Sequence, residues 1–405
     1  MEKVRFFHAA DLHLDSPFVG LKQLPKNLYE RIQQSTFASF ENLIEKAILR
    51  DIDFLIISGD LFDEEDRSIR AQAKIRRQFS LLHDHGIPVY VIHGNHDHLG
   101  GFRLDIEMPD NVHIFTSQTE VKSFITKKGV NVDLVGFSYG ARHIKERRIE
   151  EFPKRSEEYY TIGLLHGSEA SVNSSHETYA PFSKKELLEK NYHYWALGHI
   201  HERQVLHVDP YIVYPGNIQG RHRKETGVKG CYEVEMEGHH TEVAFVPTQD
   251  IIWDSIKVSL EGVQRFGEIY QRILLKLDDL EDNEDQLVEV ILTDYESLPK
   301  NIIGLIDNGD LLEALQSDVE HQETLKWIYS LRWSRTQHYW LDEKDPFKND
   351  IMRTLDGLKE EEWDEAFSEL YEHPSVYRFL QPLNKEKKQR MIQDARELFF
   401  NPMNN

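Results

Sequence analysis

Five short clusters carry side chains that can grip a divalent cation: Asp11-Leu-His13, Gly59-Asp60-Leu-Phe-Asp63, Gly94-Asn95-His96-Asp97, His166-Gly167 and Gly198-His199-Ile-His201. Each follows a strand-like run. Oxygen and imidazole donors without thiolate suit Mn²⁺, Fe or Zn²⁺ better than a soft-ligand metal. Asp11 and His13, two residues apart, point the same way if the segment is extended, so one ion can take both. His199 and His201 either share an ion in that manner or serve one each of two adjacent ions. Glycine precedes the ligands in three clusters, where a residue without Cβ permits a sharp turn. Two ions roughly 3.5–4 Å apart are the usual arrangement for hydrolysing phosphate esters. They repel unless a carboxylate lies between them, and Asp60 is the best placed to do so. An isolated Asp or His at a strand end is more often a cap or surface group; the number and order of the clusters carry the reading.

Alternating strand and helix patterns position these clusters. Val4 to Ala10 is strand-like, residues 27–50 carry apolar positions at helical spacing, and Asp53 to Ser58 reads as a buried strand. A second helix over Ile69 to His85 precedes a strand at Ile87 to Ile92. This βαβαβ rhythm puts functional loops at the carboxyl ends of the strands. Further strands are expected at Val112 to Phe115, Val132 to Phe137, Thr161 to Leu165, Tyr194 to Leu197 and Tyr211 to Tyr214, then a hairpin of Tyr232 to Glu237 and Thr241 to Val246 turning at Gly238. The expected division is a catalytic domain over 1–250, a small α/β cap over 251–318, and a helical C-terminal region over 319–405 that could bind a partner.

Taken in order, the five clusters resemble the calcineurin-like metallophosphoesterase superfamily over residues 4–246. Within it the chain most resembles the SbcD-type DNA repair nucleases, and especially their bacterial YhaO-type branch, through Asp11-Leu-His13-Leu-Asp15-Ser16-Pro17, Gly59-Asp60-Leu-Phe-Asp63 and Tyr214-Pro-Gly-Asn-Ile-Gln-Gly220. The resemblance implies a four-layer αββα sandwich and two divalent metal ions, Mn²⁺ foremost. It implies Asp11, His13 and His201 on one metal, Asp60 bridging, and Asn95, His166 and His199 on the other. His96 would meet the scissile phosphate as a charge stabiliser or proton donor, oriented or charged by Asp97. DNA would be the substrate, and a coiled-coil ATPase similar to SbcC, or to YhaN in the nearer branch, the partner; a homodimer is a further expectation. Asp15 places an extra carboxylate near the entrance, where SbcD-type nucleases usually carry Leu-Gly after the histidine.

Other residues near the motifs have plainer readings beside functional ones. Asp63 either fixes an imidazole or opens a helix, and Asp15 is either a rim group or an N-cap. Arg221, followed by His222 and Arg223, touches substrate phosphate or lies on a solvated turn. His8, His83, His85, His93, His98 and His113 read as core or surface histidines, Cys231 as a buried strand residue, and Trp327, Trp333 and Trp340 as aromatic core rather than a partner surface.

The chain has 405 residues and a net charge of −22, with −15 of it in residues 251–405 and −7 in residues 1–250. No global basic footprint of a polyanion binder is present, which counts against tight unaided binding of nucleic acid. A single cysteine excludes an internal disulfide framework, and no apolar stretch approaches the roughly 20 residues of a membrane span. With no secretory signal at the N-terminus, the expectation is a cytoplasmic protein. Two rival functions stand beside the nuclease: a small-molecule phosphodiesterase or phosphatase, such as one acting on a cyclic nucleotide, and a partner-dependent scaffold with little activity alone. Asn95-His96-Asp97, where protein phosphatases carry Glu third, and Asp63-Glu64, where they carry Arg, argue against a protein phosphatase.

Overall fold

The computed structural model describes residues 3–18, 21, 24–63, 68–100, 106–170, 179–280, 284–295, 298–319 and 324–334, together with Trp363 and Lys388. From the N-terminus, β1 (Val4–Ala9), α1 (Lys26–Leu49), β2 (Phe54–Ser58), α2 (Ile69–Asp84), β3 (Val89–Ile92) and β4 (Val112–Ile114) alternate as expected. There follow β5 (Glu120–Ile125), β6 (Asn131–Gly136), β7 (Tyr160–His166), α3 (Lys184–Glu189), β8 (Tyr194–Gly198), β9 (Gln204–Val208) and β10 (Tyr211–Tyr214), then the hairpin β11 (Gly230–Glu237) and β12 (His240–Pro247). One six-stranded sheet has the order β12-β11-β1-β2-β3-β4 and a second the order β5-β6-β7-β8-β10-β9.

Side chains alternate across each strand and so feed three separate cores. On the outer face of the first sheet, Phe7, Leu55, Ile57 and Val91 pack with Phe40, Ile44, Ile75 and Phe79 of α1 and α2. The alternate residues, Phe6, Phe54, Ile56 and Ile92, meet Leu134, Ile162, Leu164 and Tyr194 of the second sheet. Leu165, Trp195 and Leu197 then face Phe152, Phe182 and Leu187 on the far side. The result is the mixed α/β sandwich of helix, sheet, sheet and outer helix. Strands buried on both faces must be apolar throughout, which is why β2 reads Phe-Leu-Ile-Ile-Ser.

Beyond the hairpin come β13 (Ile252–Ser259), α4 (Phe266–Asp278), β14 (Gln286–Thr293), α5 (Lys300–Asp307), α6 (Asp310–Val319) and β15 (Lys326–Trp333), the strands forming a third sheet in the order β13-β14-β15. The helix expected from residue 319 onward therefore fails at Lys326–Trp333, a run of Trp, Ile and Tyr that suits a strand. Trp327 is buried there, and Trp333 donates from its indole N–H to Asp307 at 2.8 Å. Trp340 and the rest of that expected region lie outside the described residues. Two compact units emerge, one of Met1–Ile256, Leu274–Glu289 and Asp310–Ser330, the other of Lys257–Ile273, Val290–Gly309 and the described residues from Leu331; their boundary cuts through strands of the third sheet. Among the described residues, no helix is long and apolar enough to cross a membrane.

Candidate metal centre

All five clusters lie at or just beyond the carboxyl ends of strands, and the first two are stitched together by backbone. The Asp11 amide donates to the Gly59 carbonyl at 3.1 Å, His13 to Asp60 at 3.0 Å, and Leu14 to Leu61 at 3.0 Å. The extended geometry expected for Asp11 and His13 is not what the chain adopts. Their φ angles are 51° and 42°, with 51° at Asp60 and 100° at His199. Left-handed backbone costs an L-residue roughly 1–2 kcal/mol, a cost that the inter-loop hydrogen bonds offset here. The side chains converge through these turns, not through strand alternation.

Three groups of donors gather within 4.8 Å of one another: Asp11, His13 and His201; His13, Asp60 and His96; and Asp11, Asp60 and His166. Asn95 joins through its Oδ1, which is 3.0 Å from His166 Nε2 and 3.2 Å from His199 Nδ1. The structure thus brings all seven expected ligands into one cluster. His199 and His201 part company, the former facing Asn95 and the latter facing His13.

The ring orientations test whether cations fit. His201 Nδ1 lies 2.7 Å from Glu225 Oε1, and His13 Nδ1 lies 2.9 Å from Asp63 Oδ1. The His13 contact is poorly directed as a hydrogen bond, yet both contacts favour the proton on Nδ1. Arg221 Nη2 also approaches His201 Nδ1, at 3.3 Å, but the shorter carboxylate contact decides the tautomer. Two Nε2 lone pairs are then opposed at 3.0 Å, a repulsive arrangement unless a positive ion is shared. Burial, with Arg221 adding to it, lowers the His13 pKa to about 4, so at neutral pH His13 carries no second proton of its own. At His166, Nδ1 donates to the Ser58 carbonyl at 3.0 Å, which leaves Nε2 directed at Asn95 Oδ1 at 3.0 Å and Asp60 Oδ2 at 3.4 Å, a place that a proton or a cation can fill. The donor set fits divalent cations at both places.

Charge within the cluster is finely divided. Burial raises the Asp11 pKa. For Asp60, burial pushes the same way, but His166, His13 and His96 outweigh it and hold the carboxyl well below its usual range. Burial opposes charge on His166 too, yet Asp60 and Asp11 bring it up to about 9. A centre that draws a proton so strongly is one where a metal competes with that proton.

The glycines matter more by closeness than by turning. Gly59 does take φ 95°. A Cβ on Gly94, however, would stand 2.3 Å from Asp60 Oδ1 and 2.7 Å from His166 Nε2, and one on Gly198 would stand 1.8 Å from the Ser58 carbonyl oxygen.

Around the cluster, His96 sits edge-on to His13 at 4.9 Å. Its amide donates to Asp60 Oδ1 at 3.0 Å and its Nδ1 to the Asp63 carbonyl at 2.8 Å. Asp97, expected to orient or charge His96, is fully buried and accepts from the Leu61 amide at 3.0 Å, the Gly94 amide at 2.8 Å and His93 Nδ1 at 2.8 Å. It acts on the backbone of the loop that carries Asn95 and His96. Asp15 accepts from Ser68 Oγ at 2.5 Å, and Ser68 is the N-cap of α2. Asp63 contacts His13 and Arg221, so it is more than a turn residue. Glu225, which motif reading passed over, is a buried carboxylate against His201; no strand-end motif marks it, and its nearest sequence signal is its i,i+4 spacing from Arg221. Beside His199 and His201 opens a cavity of about 500 Å³, lined also by His222, Lys224 and Lys229.

Residues 4–203 match the calcineurin-like phosphoesterase family. Over 368 residues the chain is 38% identical to a protein of Bacillus subtilis titled uncharacterized metallophosphoesterase YhaO, covering 87% of this chain and 90% of that one. The chain therefore belongs to the calcineurin-like phosphoesterase family and is a metal-dependent phosphoesterase. More distantly it is similar to the DNA double-strand break repair protein Mre11 of Thermoplasma acidophilum, with 26% identity over 322 residues, 76% of this chain and 79% of that one. The Mre11 protein of Sulfurisphaera tokodaii is 27% identical over 322 residues, 75% of this chain and 76% of that one.

Proposed function

We propose that this chain cleaves phosphodiester bonds of DNA as a nuclease, with two divalent cations, manganese by preference. Asp11, His13 and His201 would hold one cation and Asn95, His166 and His199 the other, with Asp60 shared. Bound there, the cations supply Lewis acidity toward the phosphoryl oxygens and ease the deprotonation of water. The observation that carries the reading is the opposition of the His13 and His201 Nε2 atoms at 3.0 Å, beside His96 with its Nδ1 already committed to the Asp63 carbonyl. The second nitrogen of His96 is then the one that steadies the phosphate or gives a proton to the leaving oxygen. The choice of DNA draws on the similarity to Mre11 proteins named for double-strand break repair and on Lys224 and Lys229 in the cavity next to the histidines. An SbcC-like or YhaN-like coiled-coil ATPase would supply the DNA affinity that a chain of net charge −22 lacks, and both would work in the cytoplasm.

The same charge favours a second reading, a phosphodiesterase of small esters such as cyclic nucleotides. Purified protein with Mn²⁺ is offered linear duplex, hairpin and single-stranded DNA, alongside cyclic dinucleotides and a chromogenic phosphodiester. Cleavage of DNA supports the nuclease; turnover of the small esters alone removes it.

A further inference from the structure

The loop joining Tyr214 to Gly230 reaches back to the cluster from beyond residues 4–203, the span matched by the family. It carries two side chains with exposures of 13% at Arg221 and 6% at Glu225. Glu225 Oε1 is 2.7 Å from His201 Nδ1. Its other oxygen accepts from Asn217 Nδ2 at 2.9 Å and from the Arg221 amide at 2.8 Å. Arg221 extends one guanidinium nitrogen to Asp63 Oδ1 and another to Glu225 Oε1 at 3.3 Å. Asp63 in turn backs His13. A continuous bridge, His13 to Asp63 to Arg221 to Glu225 to His201, thus closes behind the two rings whose Nε2 atoms meet at 3.0 Å.

We propose that Arg221 and Glu225 are positioning residues of the metal centre: Glu225 sets the tautomer and angle of His201, and Arg221 ties that carboxylate to Asp63 so that both imidazoles present Nε2 to a single cation. Arg221 is consequently engaged in holding ligands, not free to grip the substrate. A planar guanidinium offers separate nitrogens in a fixed geometry to two carboxylates, which a compact ammonium does not, and carboxylates behind metal-binding imidazoles typically contribute about 10–100-fold in metal affinity. The proposal rests on the two-cation reading above and concerns the cation of Asp11, His13 and His201 alone.

The test is calorimetric titration of metal-stripped protein with Mn²⁺, comparing wild type with Glu225→Gln, Glu225→Asp, Arg221→Lys and Arg223→Ala, each checked for its unfolding midpoint in chelator. Glu225→Gln and Arg221→Lys are expected to weaken one of two sites by about 10–100-fold, with partial rescue in Glu225→Asp. Arg223→Ala, which alters the same loop at a side chain 59% exposed and directed to Glu289, is expected to leave both affinities within about threefold of wild type. Imidazole ¹⁵N shifts are expected to report the Nδ1–H tautomer of His201 in wild type and a mixture in Glu225→Gln. Unaltered affinity in Glu225→Gln, or equal weakening by Arg223→Ala, overturns the proposal. Fewer than two cations in wild type instead refutes the two-cation reading itself.

Discussion

His96 donates from Nδ1 to the main-chain carbonyl of Asp63 at 2.8 Å, so its ring is fixed by backbone that no side-chain substitution at residue 63 removes. His96→Ala is therefore expected to keep both cations yet lose about 10²–10⁴-fold in turnover of a chromogenic phosphodiester. Asp60→Ala should lose the cations themselves. Equal metal loss in the two variants, measured by elemental analysis, would refute this separation of roles.

Gly94→Ala would push a methyl group between Asp60 Oδ1 and His166 Nε2, 2.3 Å and 2.7 Å from the built Cβ. The expected outcome is a folded protein that binds fewer cations. A variant with wild-type stoichiometry would show that these ligands have more room than their spacing indicates.

Removing the Asp97 carboxylate strands the buried amides of Leu61 and Gly94. Each orphaned buried donor costs roughly 1–3 kcal/mol, so the two amides alone should lower the unfolding free energy of Asp97→Ala in chelator by roughly 2–6 kcal/mol. A loss below about 1 kcal/mol on urea denaturation would contradict the pinning role.

His8 is fully buried, its ring nitrogens 2.9 Å from the Tyr194 hydroxyl and 3.1 Å from the Leu197 carbonyl. Burial lowers its pKa from 6.5 to about 3. Between those values the unfolded chain binds the extra proton, so stability is intact above pH 6.5 and falls as pH drops toward 3, by an amount on the order of 4–5 kcal/mol. His8→Gln should flatten part of that slope in metal-free protein. An identical slope, followed by denaturant titrations from pH 7 to pH 4, would assign the acid sensitivity to other groups.

Because β15 (Lys326–Trp333) completes the third sheet, a chain ending at Ser334 is the proper truncation. It should bind metal and hydrolyse a small ester as the full chain does, while losing co-elution with a coiled-coil ATPase. Loss of metal binding would contradict an independent catalytic domain.

The cluster was legible in the sequence because Asp, Asn and His recur at successive strand ends, and those strands are apolar on both faces. What escaped notice has physical reasons. Strands β5 and β9 lie at the two edges of their sheet and alternate between half-buried and exposed positions, so neither shows a continuous apolar run. Glu225 belongs to a loop whose course depends on tertiary contacts, and a carboxylate in a charged stretch carries no sign of being buried. The convergence of Asp11 and His13 was foreseen for the wrong reason, since period-two alternation says nothing about two residues with positive φ. Gly94 and Gly198 suggest turns in the sequence, whereas in the fold their need is clearance.

The ladder from Asp11 through Leu14 to the segment after β2 makes the receptacle part of the scaffold. Its shape is cast by peptide groups and sandwich packing, so an arriving ion fills a mould instead of gathering loose chains. Chelated protein should accordingly stay native and recover its ions at once on their return, with no refolding in between.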